Sequence, residues 1–396
     1  MPQLAADLTS ITHIPLAQIP ASGIRAFAQK IENVPDLIKL TLGEPDLNTP
    51  EHVKQVAAQS ILDNDSHYSA QKGTLRLRKA ISNYLKSKQN LSYDPESEII
   101  ATVGATEAIA ATMLALFQPG DQIIVPTPSY ALYFPLIEYT KAELIAINTA
   151  DTNFVLTPQV LEKALTKYPK AKAILLNYPT NPTGRECPAS VLGQLAPIIR
   201  QHQLYVISDE IYSELTYDFA HISIAQYLPE RTLVINGLSK SHAMTGYRIG
   251  YVTGPAALIS LVAKMHAFLV TAPSNPAQAA AAEALENGDQ DPVEARIIYQ
   301  KRRDYIVAAL NKMGLKTHKS EGAFYVFAQI PASYGQDDEA FALDLAHEAK
   351  VGGTPGSAFG AGGEGYIRFS YAAGDEDLHT AMKRIQKFLA EKGDIK

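Results

Sequence analysis

Short, continuously apolar runs recur between residues 98 and 254, and they constrain the fold more than any other feature of this sequence. Strands that are buried on both faces of a mostly parallel sheet have such runs, whereas half-exposed strands alternate. Longer helical patterns, such as 105–117 and 188–203, separate them. The sequence therefore predicts a three-layer α/β domain with a mostly parallel sheet. The runs are EIIATV (98–103), DQIIVP (121–126), AELIAI (142–147), AKAILLN (171–177), LYVIS (204–208), TLVIN (232–236) and IGYVTG (249–254).

The pattern changes after about residue 290. A charged helical segment, 293–314, is followed by GAFYVFAQI and YIRFSYA, which have the composition of strands. The N-terminal residues have no place in the repeating pattern, and we expect them to pack with the C-terminal part. We therefore predict a large domain over residues 46–290 and a smaller α+β domain built from 1–45 and 291–396.

Composition and charge argue against several classes of protein. The 396 residues are 46% hydrophobic and 19% charged, as in ordinary globular enzymes. The net charge is −6 without a run of Lys or Arg, so we expect neither nucleic acid nor a membrane surface as a partner. No apolar stretch reaches the ~18 residues of a spanning helix. The single cysteine, Cys187, cannot form an intramolecular disulfide and the N-terminus does not resemble a signal peptide, so we expect a cytoplasmic protein.

Two common binding motifs are disfavoured by their context. Gly360, Gly362 and Gly365 have the spacing G-x-G-x-x-G. A dinucleotide fingerprint follows a strand and opens a helix, whereas this segment precedes a predicted strand, so we interpret it as a loop. No cluster of His, Cys and carboxylate residues has metal-ligand spacing, and no metal is expected.

Polar residues follow two of the predicted strands. Gly104 ends the first strand, and a helix begins at Ala105 and Thr106, whose free N–H groups would suit a phosphate. A plain turn capped by Thr106 is an equally good explanation. The stiff loop NYPTNPTG (177–184) places Asn181 after another strand, where open α/β sheets bind their ligands. For this loop alone, a connecting role is the alternative.

Two charged residues lie where burial is costly. Asp209 follows the run LYVIS directly, with Tyr212 three residues later. A helix N-cap explains Asp209 nearly as well as a paired buried carboxylate does. Lys240 follows TLVIN within a turn rich in Ser and Gly, and Arg248 comes eight residues later. Because an isolated buried ammonium is costly, this placement indicates a chemical role.

These groups together match the needs of one cofactor, pyridoxal 5′-phosphate. Its aldehyde needs a lysine amine, its pyridinium nitrogen an acid, its phenolate oxygen hydrogen-bond donors, and its phosphate a helix N-terminus and a cation. At this point the chain resembles, over nearly its whole length, the class I/II pyridoxal-phosphate-dependent aminotransferases of fold type I. The motifs that carry the resemblance are LTLGEPDLNTP, YSAQKGTLRLRKAI, VGATEA, PTPSY, NYPTNPTG, SDEIY, GLSKSHAMTGYRIGY, GAFY and GEGYIRFSYA.

The resemblance implies a role for each matching residue around the cofactor ring. Lys240 would form the Schiff base and then move the proton between substrate and cofactor. Asp209 would pair with the pyridinium nitrogen. Asn181 and Tyr212 would donate hydrogen bonds to the phenolate oxygen, and Tyr130 would stack on the ring.

The resemblance also implies how the phosphate is held. The backbone at Ala105 and Thr106, the Ser239 side chain and the Arg248 guanidinium would contact it. Tyr68 would reach the phosphate of a neighbouring subunit, although interface packing alone is the alternative. The resemblance thus implies a homodimer whose active sites are shared.

For the substrate, the resemblance implies that Arg368 clamps the α-carboxylate and that Gly43 supplies a backbone contact, with Tyr130 and Asn181 also touching the substrate. One position departs from the family. Many relatives have a serine three residues before the lysine, where this chain has Gly237. This leaves the phosphate contacts on that side open, Ser239 included.

The implied activity is amino transfer from an L-amino acid to a 2-oxo acid, with 2-oxoglutarate expected, in a ping-pong cycle. A C–S β-lyase on the same fold is the first alternative, because both reactions begin with removal of the α-proton by the same lysine. A pyridoxal-phosphate-binding regulator is the second, and it requires a basic helix-turn-helix segment for which we find no candidate.

The side-chain preference is the least constrained part of this hypothesis. Tyr68, Tyr130, Phe324 and Tyr325 could line an apolar pocket, which favours aromatic or large neutral amino acids. Core packing explains Phe324 and Tyr325 equally well. No position is singled out as the cation that a dicarboxylate substrate would need.

Overall fold

The computed structural model describes Ile19 and residues 23–395, which form three β-sheets and surrounding helices. The strands are β1 (Ile38–Lys39), β2 (Ile99–Thr102), β3 (Gln122–Thr127), β4 (Glu143–Asn148), β5 (Ala171–Asn177), β6 (Tyr205–Asp209), β7 (Thr232–Gly237), β8 (Gly250–Thr253), β9 (Tyr325–Gln329), β10 (Val351–Gly352), β11 (Thr354–Pro355) and β12 (Tyr366–Ser370). The α-helices are α1 (Gly23–Lys30), α2 (Glu51–Leu62), α3 (Leu75–Gln89), α4 (Gly104–Leu116), α5 (Tyr133–Tyr139), α6 (Pro158–Lys167), α7 (Ala189–Gln201), α8 (Ala256–Val270), α9 (Asn275–Asn287), α10 (Asp291–Lys312), α11 (Asp338–Glu348) and α12 (Asp375–Lys392).

The largest sheet has seven strands in the order β2-β8-β7-β6-β5-β3-β4. Its paired strands are parallel, except that β8 runs antiparallel to both of its neighbours. Each apolar run falls on one of these strands, and α4 and α7 fall on the two helical patterns that separate them. The predicted α/β fold with a mostly parallel sheet is confirmed.

The central strands of this sheet are buried on both faces, as their composition predicts. In β5, Ala173 and Leu175 lie in a core cluster with residues of α4 and α8, whereas Ile174 and Leu176 lie in one with residues of α6 and α7. The edge strand β4 differs, because its buried residues alternate with exposed ones. Continuous apolarity thus predicts burial correctly in the centre of the sheet and in the edge strand β2, and less well in the edge strand β4.

A smaller unit contains the antiparallel sheet β11-β12-β9, the parallel pair β1–β10 and helices α10 to α12. Its hydrophobic core also holds Phe27, Ile31 and Leu40 from the N-terminal part of the described chain. The domain boundaries, 46–290 for the large domain and 1–45 with 291–396 for the small one, stay a prediction. Residues 1–18, 20–22 and 396 lie outside the described residues.

The strand order brings polar strand ends together at one edge of the large sheet. Because β5 and β6 are parallel neighbours, Asn177 pairs with Asp209 at their carboxyl ends. Gly250, the first residue of the reversed strand β8, pairs with the last residue of β2 and the last residue of β7. Arg248, just before β8, therefore lies at the same edge as Lys240, just after β7.

Two further properties bear on function. Of the helices that the structure describes, none combines the length and the apolarity that crossing a bilayer requires. Residues 23–395 also contain no group of three or more His, Cys, Asp or Glu side chains that could hold a metal ion.

Candidate active site

A cavity of about 310 Å³ lies at this edge of the large sheet. Its wall combines the ends of β5 and β6, the turn after β7, the start of α4 and residues from both terminal parts of the chain. The structure thus brings together most residues that the sequence singled out, although their individual roles stay proposals. Those that line the cavity are Gly43, Ala105, Thr106, Tyr130, Asn181, Asp209, Tyr212, Ser239, Lys240, Arg248 and Arg368.

Asp209 is the buried acid of the cavity. The Tyr133 hydroxyl donates to its carboxylate at 2.6 Å, and the Ile211 backbone N–H donates at 3.2 Å. Burial raises the pKa of Asp209 to about 6, and these two hydrogen bonds oppose the rise. No α-helix starts after Asp209, since residues 211–214 form a turn, so the helix N-cap explanation is wrong. A cation that contacts this carboxylate from the cavity would stabilise its ionised form.

Lys240 faces the same cavity from the turn after β7. Its Nζ donates a hydrogen bond to the Gly43 carbonyl oxygen at 2.5 Å. Burial lowers the pKa of Lys240 to about 8; the Glu44 carboxylate opposes this, and the Arg248 and Arg368 guanidiniums add to it. Near pH 8, Lys240 is therefore a neutral amine in a substantial fraction of the protein molecules, and the neutral amine is the form that attacks carbon.

The start of α4 and Arg248 form a cradle for an anion. Gly104 has φ +72°, and a Cβ added there would lie 2.7 Å from the Arg248 guanidinium. The N-cap residue of this helix is Val103, which makes no side-chain cap hydrogen bond, so Thr106 is not the cap that the alternative explanation requires. The first backbone N–H groups of α4 and a guanidinium therefore meet beside the Ser239 side chain, which lines the same cavity.

Gly237, the position that departs from the family, does not line this cavity. It is the last residue of β7, and a Cβ there would lie 2.9 Å from the Ile249 carbonyl oxygen and 3.0 Å from the Gly250 Cα. A serine would therefore force β7 and β8 apart. In this chain the glycine belongs to strand packing, and Ser239 is the serine of this turn that lines the cavity.

Arg368 lies on β12 and is almost completely buried. One guanidinium nitrogen donates to the Asn181 amide oxygen at 2.7 Å and another to the Thr41 carbonyl oxygen at 2.6 Å. The guanidinium carbon is 4.4 Å from the Tyr325 ring centre and 4.8 Å from that of Phe359. Its Nε has no hydrogen-bond partner among the described residues. Because the Asn181 oxygen is occupied by Arg368, its NH₂ group is the part left to donate elsewhere.

Tyr212 and Tyr325 form a pair beside Gly43. Their hydroxyl oxygens are 2.6 Å apart, and a Cβ at Gly43 would lie 2.2 Å from the Tyr325 hydroxyl. Only a residue without a side chain fits at position 43. Phe324 is fully buried in the core and absent from the cavity wall, so core packing explains it, whereas Tyr325 belongs to the same core and also lines the cavity.

Tyr68 does not lie in this cavity. It is 91% exposed and borders a separate surface depression with Ile61 and residues 272–276. The single chain thus leaves its contact with a neighbouring subunit as a prediction.

Sequence reasoning missed several residues of the cavity wall. Asn177 begins the quoted loop NYPTNPTG, so the sequence offered a signal for it, whereas nothing in the sequence around Tyr133 singles that residue out. Arg25 precedes the repeating pattern and offered none. The missed residues are Ile24, Arg25, Thr41, Leu42, Ile109, Tyr133, Asn177 and Ile211.

Comparison with known proteins agrees with this geometry. Residues 35–385 match the family model of the aminotransferases of class I and II. A probable N-acetyl-LL-diaminopimelate aminotransferase from Bacillus subtilis is 42% identical over 375 residues, which is 95% of each chain. The crystal structure of an aromatic aminotransferase from Pyrococcus horikoshii is 36% identical, with a TM-score of 0.87 over 93% of this chain and 100% of that one. An aspartate aminotransferase from Thermus thermophilus with maleate is 34% identical, with a TM-score of 0.90 over 98% and 100%.

A lysine, a buried aspartate and an anion cradle at the carboxyl edge of this sheet define a pyridoxal-phosphate-dependent enzyme of fold type I. The chain belongs to the class I and II aminotransferase family, and it is an aminotransferase that uses pyridoxal 5′-phosphate. The predicted family, cofactor and enzyme class are thereby confirmed.

Proposed function

We propose that Lys240, Asp209 and the Gly104–Arg248 cradle hold the cofactor, with Lys240 bonded to its aldehyde and Asp209 at its pyridinium nitrogen. The cradle, with Ser239, takes the phosphate. One observation carries this proposal: a lysine whose pKa is lowered to about 8 and a fully buried aspartate face the same cavity. Both side chains are costly to bury without a partner, and the cofactor supplies a partner to each.

The donor groups of the cavity fit the remaining atoms of the cofactor. Tyr212 and the free NH₂ group of Asn181 are the donors proposed for the phenolate oxygen. Tyr130 supplies an aromatic ring for stacking. When bound, pyridoxal phosphate supplies the electron sink for bond breaking at the substrate α-carbon.

Lys240 is the proposed proton carrier of the reaction. Once the substrate amino group has displaced it from the aldehyde, its free neutral amine would take the proton from the substrate α-carbon and give it to the carbon that had carried the aldehyde. In the structure its Nζ donates a hydrogen bond to the Gly43 carbonyl oxygen, which holds the free amine inside the cavity. Burial, and then the Arg248 and Arg368 guanidiniums, lower the pKa of Lys240 to about 8.

Arg368 is the proposed ligand of the substrate α-carboxylate. It is buried, two aromatic rings lie close to its guanidinium carbon (4.4 Å for Tyr325 and 4.8 Å for Phe359), and its Nε is unpaired among the described residues. A planar guanidinium with free donors suits a carboxylate in two-point contact. Gly43 lets the backbone come close to that carboxylate, and Tyr130 and Asn181 complete the contacts.

The proposed substrates are an L-amino acid as donor and 2-oxoglutarate as acceptor, in a ping-pong cycle. The support for an aromatic or large neutral donor is weaker than the sequence suggested. Of the aromatic residues put forward for such a pocket, Tyr130 and Tyr325 line the cavity, whereas Tyr68 and Phe324 do not.

We further propose a homodimer, on the basis of large apolar side chains that the single chain leaves exposed at Tyr68 and at the ends of α2 and α8. A second copy of the chain would remove such side chains from water. The Tyr68 loop is held by Asn275, whose amide donates to the His67 carbonyl at 2.7 Å. The exposed side chains are Ile61, Leu62, Tyr68, Phe268 and Leu269.

We also propose a cytoplasmic location, which the buried, unpaired Cys187 supports.

A panel of amino donors tests this function, with the visible absorbance of the cofactor followed in half-reactions and 2-oxoglutarate or pyruvate added to complete the cycle. We expect conversion by an L-amino acid and recovery by 2-oxoglutarate. Pyruvate and ammonia released from a cysteine conjugate without any oxo acid, and no amino transfer to 2-oxoglutarate, would favour the β-lyase instead. Sedimentation of the holoenzyme tests the dimer.

A further inference from the structure

Arg25 is a cationic residue on the cavity wall, and the proposed reaction gives it no anionic group to bind. Four cationic side chains, Arg25, Lys240, Arg248 and Arg368, line the described cavity, against the single carboxylate of Asp209. Under the proposed function, Lys240 serves the cofactor aldehyde, Arg248 the phosphate and Arg368 the α-carboxylate. Arg25 is the member of this set to which no anion is assigned.

Helix α1 fixes the place of Arg25. The preceding residue, Ile24, packs against the aromatic cluster that contains Phe359, and Phe27 lies in the core of the smaller unit. The Phe359 ring also lies 4.8 Å from the Arg368 guanidinium carbon. The same aromatic support therefore holds the proposed α-carboxylate ligand and the residue next to Arg25.

The Arg25 side chain lines the cavity, and the described chain offers its guanidinium no hydrogen-bonding or ion-pair partner. The side chain is exposed. Burial, and then the Asp209 carboxylate, raise the pKa of Tyr130, and Arg25 opposes this rise more than Arg368 or Arg248 does. A guanidinium beside the Tyr130 ring offers a carboxylate two parallel N–H donors.

We propose that Arg25 is a specificity-determining residue that binds a second anionic group, at the end of the substrate remote from its α-carboxylate. The substrates are then amino acids and 2-oxo acids with a distal carboxylate, and 2-oxoglutarate is such an acceptor. This rests on the proposed function, because the contact of the α-carboxylate with Arg368 defines which end is distal. It also departs from the expectation of an aromatic or large neutral side chain.

The test is the binding of two non-reacting ligands to the holoenzyme by isothermal titration calorimetry. Glutarate has a carboxylate where pentanoate has a methyl group, and the two otherwise share one chain. We expect the wild type to prefer glutarate by about 10- to 100-fold, and Arg25→Met to lose that preference through weaker glutarate binding. Arg25→Lys should keep part of it, because the charge remains without the two-point geometry.

Lys30→Met is the matched control, because Lys30 lies on the same helix and its ammonium pairs with Glu339. This variant should keep the glutarate preference. An equal loss of both ligands in Arg25→Met would show that Arg25 only supports α1. Unchanged glutarate binding, or a wild type without preference, would show that the guanidinium does not reach the ligand. Each of these results overturns the proposal.

The kinetic counterpart compares acceptors. In Arg25→Met, kcat/KM should fall about 10- to 100-fold for 2-oxoglutarate and change little for 2-oxopentanoate, which has a methyl group in place of the distal carboxylate. Failure of the proposed function is visible separately, because it would appear as absence of a half-reaction with every amino donor. Glutarate binding needs no amino transfer and stays interpretable in that case.

Discussion

Two regions of the molecule build the active-site cavity in different ways. The sheet-end residues, such as Asp209 at the end of β6 and Lys240 just after β7, are placed by strands whose register is fixed by several successive pairs. The outer residues, Arg25, Gly43 and Arg368, come from outside the large sheet and are placed by helix α1, a loop and strand β12. The two groups therefore depend on different parts of the fold.

The two groups of residues have different proposed roles: one carries out the reaction and the other selects the substrate. Sheet-end residues carry the groups proposed for the cofactor and for proton transfer, and buried strands hold them in place. Outer residues contact the substrate in the proposed function, and their positions depend on aromatic packing around Arg368. Changes to the first group should stop the reaction with every substrate, whereas changes to the second should alter affinity and selectivity.

Lys240→Ala should have the largest effect. Loss of the proposed proton carrier should lower kcat on the order of 10⁴-fold for all donors, with no visible imine band after cofactor addition. Lys172→Ala is a suitable control, because that lysine also lies in the large sheet but pairs with Asp121 away from the cavity. A Lys240→Ala protein that turned over at the normal rate would refute the proposed mechanism.

Asp209→Asn should be the next most damaging change. A neutral amide cannot hold a proton on the pyridinium nitrogen, so kcat should fall on the order of 10²- to 10³-fold with every donor. Stopped-flow half-reactions with two unlike donors measure this. A loss confined to one donor would place Asp209 among the selecting residues and break the division between the two groups.

The same variant has an opposite effect on stability in the cofactor-free protein. The folded-state pKa of Asp209 is about 6, above its ordinary value of 3.8, so the folded chain holds a proton that the unfolded chain releases. Wild-type stability should therefore fall as the pH rises from about 4 to about 6. At pH 8 the Asn variant should be more stable by about 1–3 kcal/mol, and below pH ~4 this advantage should disappear. Urea unfolding of both proteins at several pH values checks the sign.

The contrast also explains how far the sequence could predict the site. Asp209 and Lys240 follow buried strands, and the adjacency of parallel strands places such residues together at one edge. Arg25 has no comparable signal, because its place depends on the packing of α1 against residues near 359, far away in the chain. Tyr133 supports Asp209 through one hydrogen bond, a contact that no local pattern encodes.

Gly43→Ala tests the outer group at its tightest point. The new methyl group would lie 2.2 Å from the buried Tyr325 hydroxyl, so the loop must move and shift the carbonyl that receives the Lys240 hydrogen bond. We expect kcat/KM to fall about 10- to 100-fold through a higher KM, while the imine absorbance persists. Gly193→Ala, on helix α7 with its nearest contact at 3.6 Å, should be neutral. Loss of the imine band in Gly43→Ala would make this loop part of the cofactor site.

Tyr133→Phe should have the smallest effect. It distinguishes the position of the Asp209 carboxylate from its pKa, because it removes one hydrogen bond and leaves the ring in place. The variant keeps the ring of Tyr133 in the core and removes the hydroxyl that donates to Asp209 at 2.6 Å. Without that donor the pKa of Asp209 should rise further, so the acid limb of the kcat/KM profile should move to higher pH. At neutral pH we expect a loss of about threefold to tenfold.

The pH profile distinguishes this role from packing. Tyr178→Phe removes an equally buried hydroxyl, which accepts from the Leu156 backbone at 3.0 Å, and it should leave the acid limb in place. If Tyr133→Phe lowered activity equally at all pH values, Tyr133 would only fill space. A shifted limb would instead show that the register of β6 positions the carboxylate, while a helix outside the strand ends sets the pH range over which it stays ionised.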